Sequence, residues 1–291
     1  MAVGYEGSFF ERSRFKTLKM IIWIASYPKS GNTWMRALLS TYLYCEDEKF
    51  DFKNLSKIPN FIGDKFFEPI VDLKLIKNSL KISEYWNSAQ SRINLQGEQK
   101  IFKTHTACVA INNIGFTNEI NSAGYIYLVR DPRAVVCSMS AHSNTSTDSV
   151  VKNLFDERMV GYNGKNSLAE YTSSWKINYN SWKKKKKFPG ILIKYEDMID
   201  NTEKEFKKTL SFLKDKLNLE LDDKRIKKTI ELCNFSKLSK EEDEKGFVEQ
   251  VNGKFFRKGK KDAWKNELNE NLKNEIEKKL KNEMQELGYI N

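Results

Sequence analysis

The stretch "IIWIASYPKSGNTWMRALL", residues 21–39, decides how the rest of the chain is read. Residues 20–25 are a short, almost wholly apolar run, as in a strand buried on both faces. From Gly31 the period changes, and Trp34, Leu38 and Tyr42 recur every four residues, as on one face of a helix. A tight turn from strand into helix presents backbone N–H groups with the helix dipole behind them, and this binds anions. Gly31 lets the backbone approach an anion closely, Ser30, Asn32 and Thr33 add short donors, and Lys29 adds a mobile charge. The plainer alternative is an ordinary strand-to-helix turn with a polar cap. Pro28, Lys29, Ser30 and Gly31 in succession favour the anion site. In the common nucleotide loop the lysine follows the last glycine and precedes the Ser/Thr that holds Mg²⁺. Here Lys29 precedes Gly31, so metal coordination is not signalled and no metal is expected. The order suits a reaction in which lysine alone neutralises a leaving oxygen.

The same grammar recurs along the chain. "QKIFKTH" (99–105) reads as a second strand ending in polar residues. Residues 125–129 form a third, broken by Arg130-Asp131-Pro132, with a helix from Ala134; Pro132 fits a first helical turn. "ILIKYED" (191–197) reads as a fourth. Helices are expected over 82–92, 168–187, 203–217 and 222–233, then a loop over 246–261 and a last helix to Leu287. Alternating strands and helices predict an α/β fold: a P-loop-like, three-layer domain over 20–291 with a mainly parallel sheet flanked by helices. Residues 1–19 read as an irregular leader. Ligands of such sheets bind beyond the C-terminal strand ends, where Lys29, His105, Arg130 and Tyr195 all fall.

The 291 residues carry a net charge of +11, which points to an anionic partner. Nucleic acid, acidic lipid and a small phosphorylated molecule all fit that sign. No helix-turn-helix, zinc-finger or RNA-binding signature is present and the basic residues are spread over several helices, so no nucleic-acid partner is expected. Cys45, Cys108, Cys137 and Cys233 lie far apart with no CxxC pair, against a zinc site or disulfide framework and in keeping with reduced thiols. No apolar run approaches the ~20 residues that cross a bilayer, and Glu6, Glu11 and Arg12 interrupt any signal-peptide core. A cytoplasmic protein without a membrane partner is expected.

"YPKSGNTW" (27–34) resembles the 5′-phosphosulfate loop of the cytosolic-type sulfotransferases that use 3′-phosphoadenosine-5′-phosphosulfate (PAPS) and release PAP. That loop is close to TYPKSGTTW; this chain has Ser26 for the first Thr and Asn32 for the middle one. "YLVRDPRAVVCSMS" (127–140) resembles the family's 3′-phosphate segment, "IKYEDM" (193–198) its YED strand end, and "FFRKGKKDAWKN" (255–266) its RKGxxGDWKN segment. Four blocks in order are far more specific than any one. The last departs from the pattern, with Asp262-Ala263 where the family has Gly-Asp.

The resemblance implies roles, residue by residue. Lys29 would meet the bridging and 5′-phosphate oxygens, and Ser30, Gly31, Asn32 and Thr33 would hold that phosphate. Trp34 would stack on adenine; by composition alone it reads as core. Arg130 and Ser138 would bind the 3′-phosphate, with Arg133 as the weaker candidate, and Arg257, Lys258 and Gly259 would close over it. Tyr195 would lie near the base, with Phe235 and Cys233 of "LCNFSKL" (232–238) as further walls. In "FKTHTA" (102–107), Lys103 and His105 match the family's Lys-Thr-His. His105 would be the general base and Lys103 would help stabilise the transferring group. His142 would be structural or part of the acceptor wall.

The expected reaction is in-line transfer of a sulfuryl group to a hydroxyl or amine of a small molecule. Three alternatives remain at this point. The first is a P-loop kinase or NTPase, opposed by the Lys29–Gly31 order. The second is a basic nucleic-acid binder. The third is a member of the fold that binds nucleotide without catalysis, opposed by Lys29 and His105 together. Acceptor walls are expected from residues 9–15, 61–67, 85–86 and 144–162, whose aromatics suit an apolar or phenolic acceptor. The family's dimer motif, KxxxTVxxxE, is absent from "KNELNENLKN" (265–274), which leaves the oligomeric state open.

Overall fold

A computed structural model describes residues 20–45, 50–97, 101–162, 168–184 and 187–291. The leader and the expected acceptor wall at 9–15 lie outside them. Four parallel strands form the central sheet in the order β2-β1-β5-β8. They are β1 (Ile21–Ser26), β2 (Ile101–Thr104), β5 (Ser122–Val129) and β8 (Gly190–Lys194). Two short antiparallel pairs lie outside the sheet: β3 (Ala110–Ile111) with β4 (Ile114–Gly115), and β6 (Val160–Tyr162) with β7 (Ala169–Tyr171).

β1 is central, and all six of its residues are buried. Because strand side chains alternate between faces, its residues divide between two cores. Ile22 and Ile24 join the cluster beneath helices α1 (Asn32–Tyr44), α8 (Thr202–Leu217) and α9 (Asp223–Leu232). Ile21, Trp23 and Ala25 join the cluster on the other face, with Trp175, Tyr179 and Trp182 of α6 (Trp175–Lys183). That second cluster also takes in α3 (Trp86–Gln96), α4 (Pro132–Ser143), α5 (Thr147–Phe155), α11 (Glu270–Lys279) and α12 (Lys281–Glu286). The layers are therefore helix, sheet, helix. The remaining helices are α2 (Asp64–Phe67), α7 (Tyr195–Asp200) and α10 (Phe235–Lys245).

Local chemistry sets the boundaries that position the site. The α1 helix starts from Gly31 in the left-handed region, at φ 94°. The α4 helix is capped by Asp131, whose carboxylate accepts from the Arg133 N–H, with Pro132 in the first turn.

The structure revises several expectations. The helix expected over 168–187 begins only at Trp175, where Ser174 caps it. Residues 169–171 instead pair as β7 with β6. A run of apolar and aromatic residues misled here, because its strand portion is only three residues long. The expected last helix is two, meeting at Leu280. Residues 61–67 and 85–86 do not supply an aromatic acceptor wall, because Phe61, Phe67 and Trp86 are all fully buried around Trp23.

Trp23 anchors that side of the sheet. Its indole packs against Phe61, Phe102 and Phe116, and its Nε1–H donates to Ser122 Oγ at 2.7 Å. Trp23→Ala is expected to lower unfolding free energy by about 3–5 kcal/mol, measured by urea denaturation. A loss well under 1 kcal/mol would show that the indole is not the keystone of this layer.

Candidate active site

The C-terminal ends of the four sheet strands open into one cavity of about 820 Å³. β1 delivers the loop Tyr27–Thr33, β2 delivers Lys103 and His105, β5 delivers Arg130, and β8 delivers Tyr195. Parallel strands make this convergence unavoidable, since all four chains leave the sheet at the same edge.

The loop is built as an anion cradle. Lys29 lies in the left-handed region at φ 64°, ahead of Gly31. A Cβ on Gly31 would stand 2.7 Å from the Tyr195 ring, so glycine is required by space as well as by φ. Ser30 is fully buried and its Oγ has no hydrogen-bond partner among the described residues. The Asn32 amide, expected to face the anion, turns inward instead. Its Nδ2 donates to Ile24 O at 3.0 Å and Ser26 Oγ at 3.2 Å, which leaves the backbone N–H as its donor to the loop mouth. Thr33 Oγ1 donates to Glu249 Oε2 at 2.7 Å. The Lys29 ammonium sits 3.7 Å above the Phe255 ring. Burial pushes its pKa down to about 7; Glu249 opposes that shift, while Arg130 and Lys103 add to it.

His105 is held through both its backbone and its ring: its carbonyl accepts from Asn178 Nδ2 at 2.8 Å, and Ser26 Oγ lies 3.1 Å from Nδ1. Its backbone N–H donates to Glu170 Oε1 at 2.6 Å, and its Nδ1 lies 2.8 Å from the Ser26 carbonyl oxygen. A carbonyl can only accept, so Nδ1 carries the proton and Nε2 is the basic nitrogen of the neutral ring. Burial lowers its pKa to about 4; Lys103 reinforces the shift, and Glu170, the Ser26 carbonyl and Glu249 oppose it. Lys103 Nζ lies 4.0 Å from Glu249.

Arg130 and Arg133 have opposite fates. Arg133 is locked into a buried network with Asp131, Glu277 and the Tyr289 carbonyl, with its guanidinium 3.9 Å over Trp264. Arg130 instead lines the cavity. Its Nη1 donates to Lys29 O at 3.0 Å, its guanidinium lies 4.3 Å over Tyr195, and its Nε has no partner among the described residues. Ser138, on α4, also lines the cavity.

A flat slot continues from there. Trp34 and Tyr195 meet edge to face, with centroids 6.1 Å apart, and Trp34 Nε1–H donates to Cys233 O at 2.9 Å. Cys233 is not a wall. It is fully buried, and its thiol contacts Thr41 Oγ1 at 3.3 Å. Phe235 does line the slot, and a Cβ on Gly259 (φ 59°) would stand 2.5 Å from its ring. Arg257 and Lys258 line the cavity and pair with Glu267. His142 lies edge-on to Phe255 at 5.6 Å on the cavity wall, and burial lowers its pKa to about 4.

Comparison with known proteins gives the family and the fold. Residues 20–288 match the family model described as the sulfotransferase domain. The chain belongs to the sulfotransferase family. It is similar to cytosolic sulfotransferase 15 of Arabidopsis thaliana, with 26% identity over 89% of this chain and 70% of the relative. It is also similar to flavonol 4′-sulfotransferase of Flaveria chlorifolia, with 24% identity over 92% of this chain and 80% of the relative. Its fold is shared with retinol dehydratase, solved in a complex with retinol and PAP. The TM-score is 0.59 and identity 20%, over 91% of this chain and 81% of that one. Among the described residues no helix is long and apolar enough to cross a membrane.

Three residues of this sulfotransferase escaped sequence reasoning. Arg36 is buried, donates to Ile58 O and Leu55 O, and pairs with Glu249 at 2.5 Å. Glu249 lies in a lysine- and glutamate-rich segment with nothing local to single it out. Burial pushes its carboxyl up, but Lys103, Arg36 and Thr33 outweigh that and hold it well below the usual carboxylate range. Glu170 lies on β7, ahead of the helix expected over 168–187, which begins only at Trp175.

The Lys29 proton gives a test of the cradle. Inorganic sulfate, which does not titrate near neutrality, is expected to bind more weakly by about tenfold or more between about pH 6 and pH 9 as Lys29 loses its charge. Sulfate-induced shifts in melting temperature measure this. Lys29→Met should flatten the dependence; an equally steep dependence in that variant would assign it to another group.

Proposed function

We propose that this sulfotransferase moves a sulfuryl group from PAPS to a hydroxyl or amine of a small-molecule acceptor, with His105 as general base and Lys29 at the leaving phosphate. The observation that carries the reading is the His105–Ser26 hydrogen bond, which leaves Nε2 basic at the mouth of an anion cradle. The cradle fits a phosphorylated nucleotide. Buried Ser30 Oγ and Arg130 Nε lack partners among the described residues, and the absence of a Cβ at Gly31 and Gly259 lets the Tyr195 and Phe235 rings pack directly against the backbone. A carboxylate, that of Glu249, already lies against Thr33 at the loop mouth.

The donor supplies an activated sulfuryl group on a phosphate leaving group. Lys29 and the loop N–H groups would stabilise charge developing on that phosphate, and such preorganised donors are among the largest contributions to catalysis. Ser30, Gly31, Asn32 and Thr33 would hold the 5′-phosphate. Arg130, Ser138, Arg257, Lys258 and Gly259 would hold the 3′-phosphate, because a guanidinium matches a phosphate monoester. Trp34, Tyr195 and Phe235 would enclose the adenine. His105 Nε2 would take the acceptor proton, and Lys103 would face the transferring group. Relatives such as cytosolic sulfotransferases 15 and 14 of Arabidopsis thaliana are named as cytosolic, in keeping with a cytoplasmic setting.

His105→Ala is expected to keep PAP affinity within about threefold by calorimetry, while transfer of label from PAPS falls by about 10²–10⁴. Because His105 titrates near 4, the acid limb of kcat/KM should lie well below the ~6.5 of an ordinary histidine. Absence of PAP binding to the wild-type protein would defeat the whole reading.

A further inference from the structure

Among the described residues, two carboxylates line the cavity. Glu249 is engaged by Thr33, Arg36 and Lys103, and its place is that of a counter-ion to the cationic cradle. Glu170 has no such role in the chemistry above. It stands on β7, half-buried, with Oε1 accepting from the His105 N–H at 2.6 Å and from Thr104 Oγ1 at 3.3 Å. Its Oε2 has one long contact among the described residues, 3.4 Å to Asn60 Nδ2. A carboxylate oxygen can accept two hydrogen bonds, so Oε2 keeps acceptor capacity on the cavity wall.

The surroundings sharpen what that oxygen can select. Ile62, Val150, Met159 and Leu168 add apolar side chains to the wall of the same cavity. An apolar wall rejects few acceptors of the right size, whereas a buried polar group left unpaired penalises every ligand that fails to satisfy it. Glu170 is tied to the backbone of the base itself. A small acceptor presenting its reacting hydroxyl to His105 therefore has this carboxylate close by.

We propose that Glu170 is a specificity-determining residue: its Oε2 accepts a hydrogen bond from a second donor group, hydroxyl or ammonium, on the acceptor. Preferred acceptors therefore carry such a donor in addition to the group that is sulfated. The proposal rests on the sulfuryl-transfer reading above. The structural role of Glu170, holding the His105 loop, is separable from it. Gln at this position keeps an acceptor oxygen for the His105 N–H but loses the charge.

The test uses three phenols of matched shape: 4-ethylphenol, 4-(2-hydroxyethyl)phenol and 4-(2-aminoethyl)phenol. PAP binding is read first by calorimetry on wild type and Glu170→Gln, so that a failure of the donor site is seen separately. Wild type is expected to favour one or both donor-bearing phenols over 4-ethylphenol by about tenfold or more in kcat/KM. The two donor-bearing arms distinguish hydroxyl from ammonium. Glu170→Gln should erase that preference while leaving 4-ethylphenol turnover within about threefold. An equal fall in kcat for all three phenols would make Glu170 only a positioning residue for His105 and overturn the proposal. No discrimination by wild type among the three, in turnover or in binding to the PAP complex, would also overturn it. The wild-type comparison stands alone where the variant does not fold.

Discussion

The hydrogen bond from the His105 ring to the Ser26 carbonyl ties the two halves of this site together. The His105 Nδ1–H meets the Ser26 carbonyl, so the end of β2 is tied to the residue that opens the anion loop of β1. It fixes the ring's tautomer and its distance from the loop together. Its geometry depends on the parallel pairing that sets Ala25 beside Thr104, and a register slip of one residue would turn every side chain to the opposite face. The fully buried strand Ile21–Ser26 thus does more than fill the core; it sets the position of the base.

Charge balance is the second constraint. Lys29, Lys103, Arg36 and Arg130 gather around one cavity, and Arg36 is almost wholly enclosed. Buried cations without partners are costly. Glu249 answers Arg36 and Lys103 directly and raises the proton affinity of Lys29 at a distance. Lys29 has no ion-pair partner among the described residues, and burial draws its pKa down to about 7. A bound anion beside it would favour its charged form. The early lysine is therefore matched to an anionic ligand rather than to a resident carboxylate.

What the sequence disclosed was local. β1, the loop after it and the α4 entry at Arg130-Asp131-Pro132 are each written in a few consecutive residues whose backbone needs are specific. What stayed hidden depended on distant partners. Thr33 and Glu249 are 216 residues apart, and Arg36 and Glu249 213. Nothing near Glu249 marks it off from its charged neighbours. Asn32 was misjudged for the opposite reason. An amide can face either way, and this one donates to the Ile24 carbonyl and the Ser26 hydroxyl rather than to the loop mouth. The aromatics of residues 61–67 read as a ligand wall because an apolar side chain looks the same in a pocket and in a core.

Arg130 and Arg133 show how far sequence type falls short of function. Both follow the same strand, three residues apart, and both are permanently charged. Arg133 points back across the α4 cap, where Asp131 accepts from its backbone and its guanidinium alike, and Glu277 completes the pairing. Arg130 lies over Tyr195 with its Nη1 on the Lys29 carbonyl and its Nε unanswered. The first is a structural rivet whose hydrogen bonds are already made. The second is held in place by a ring and one backbone oxygen, which orient the guanidinium without neutralising it. An anion-binding arginine needs that combination: fixed in direction and still in want of charge.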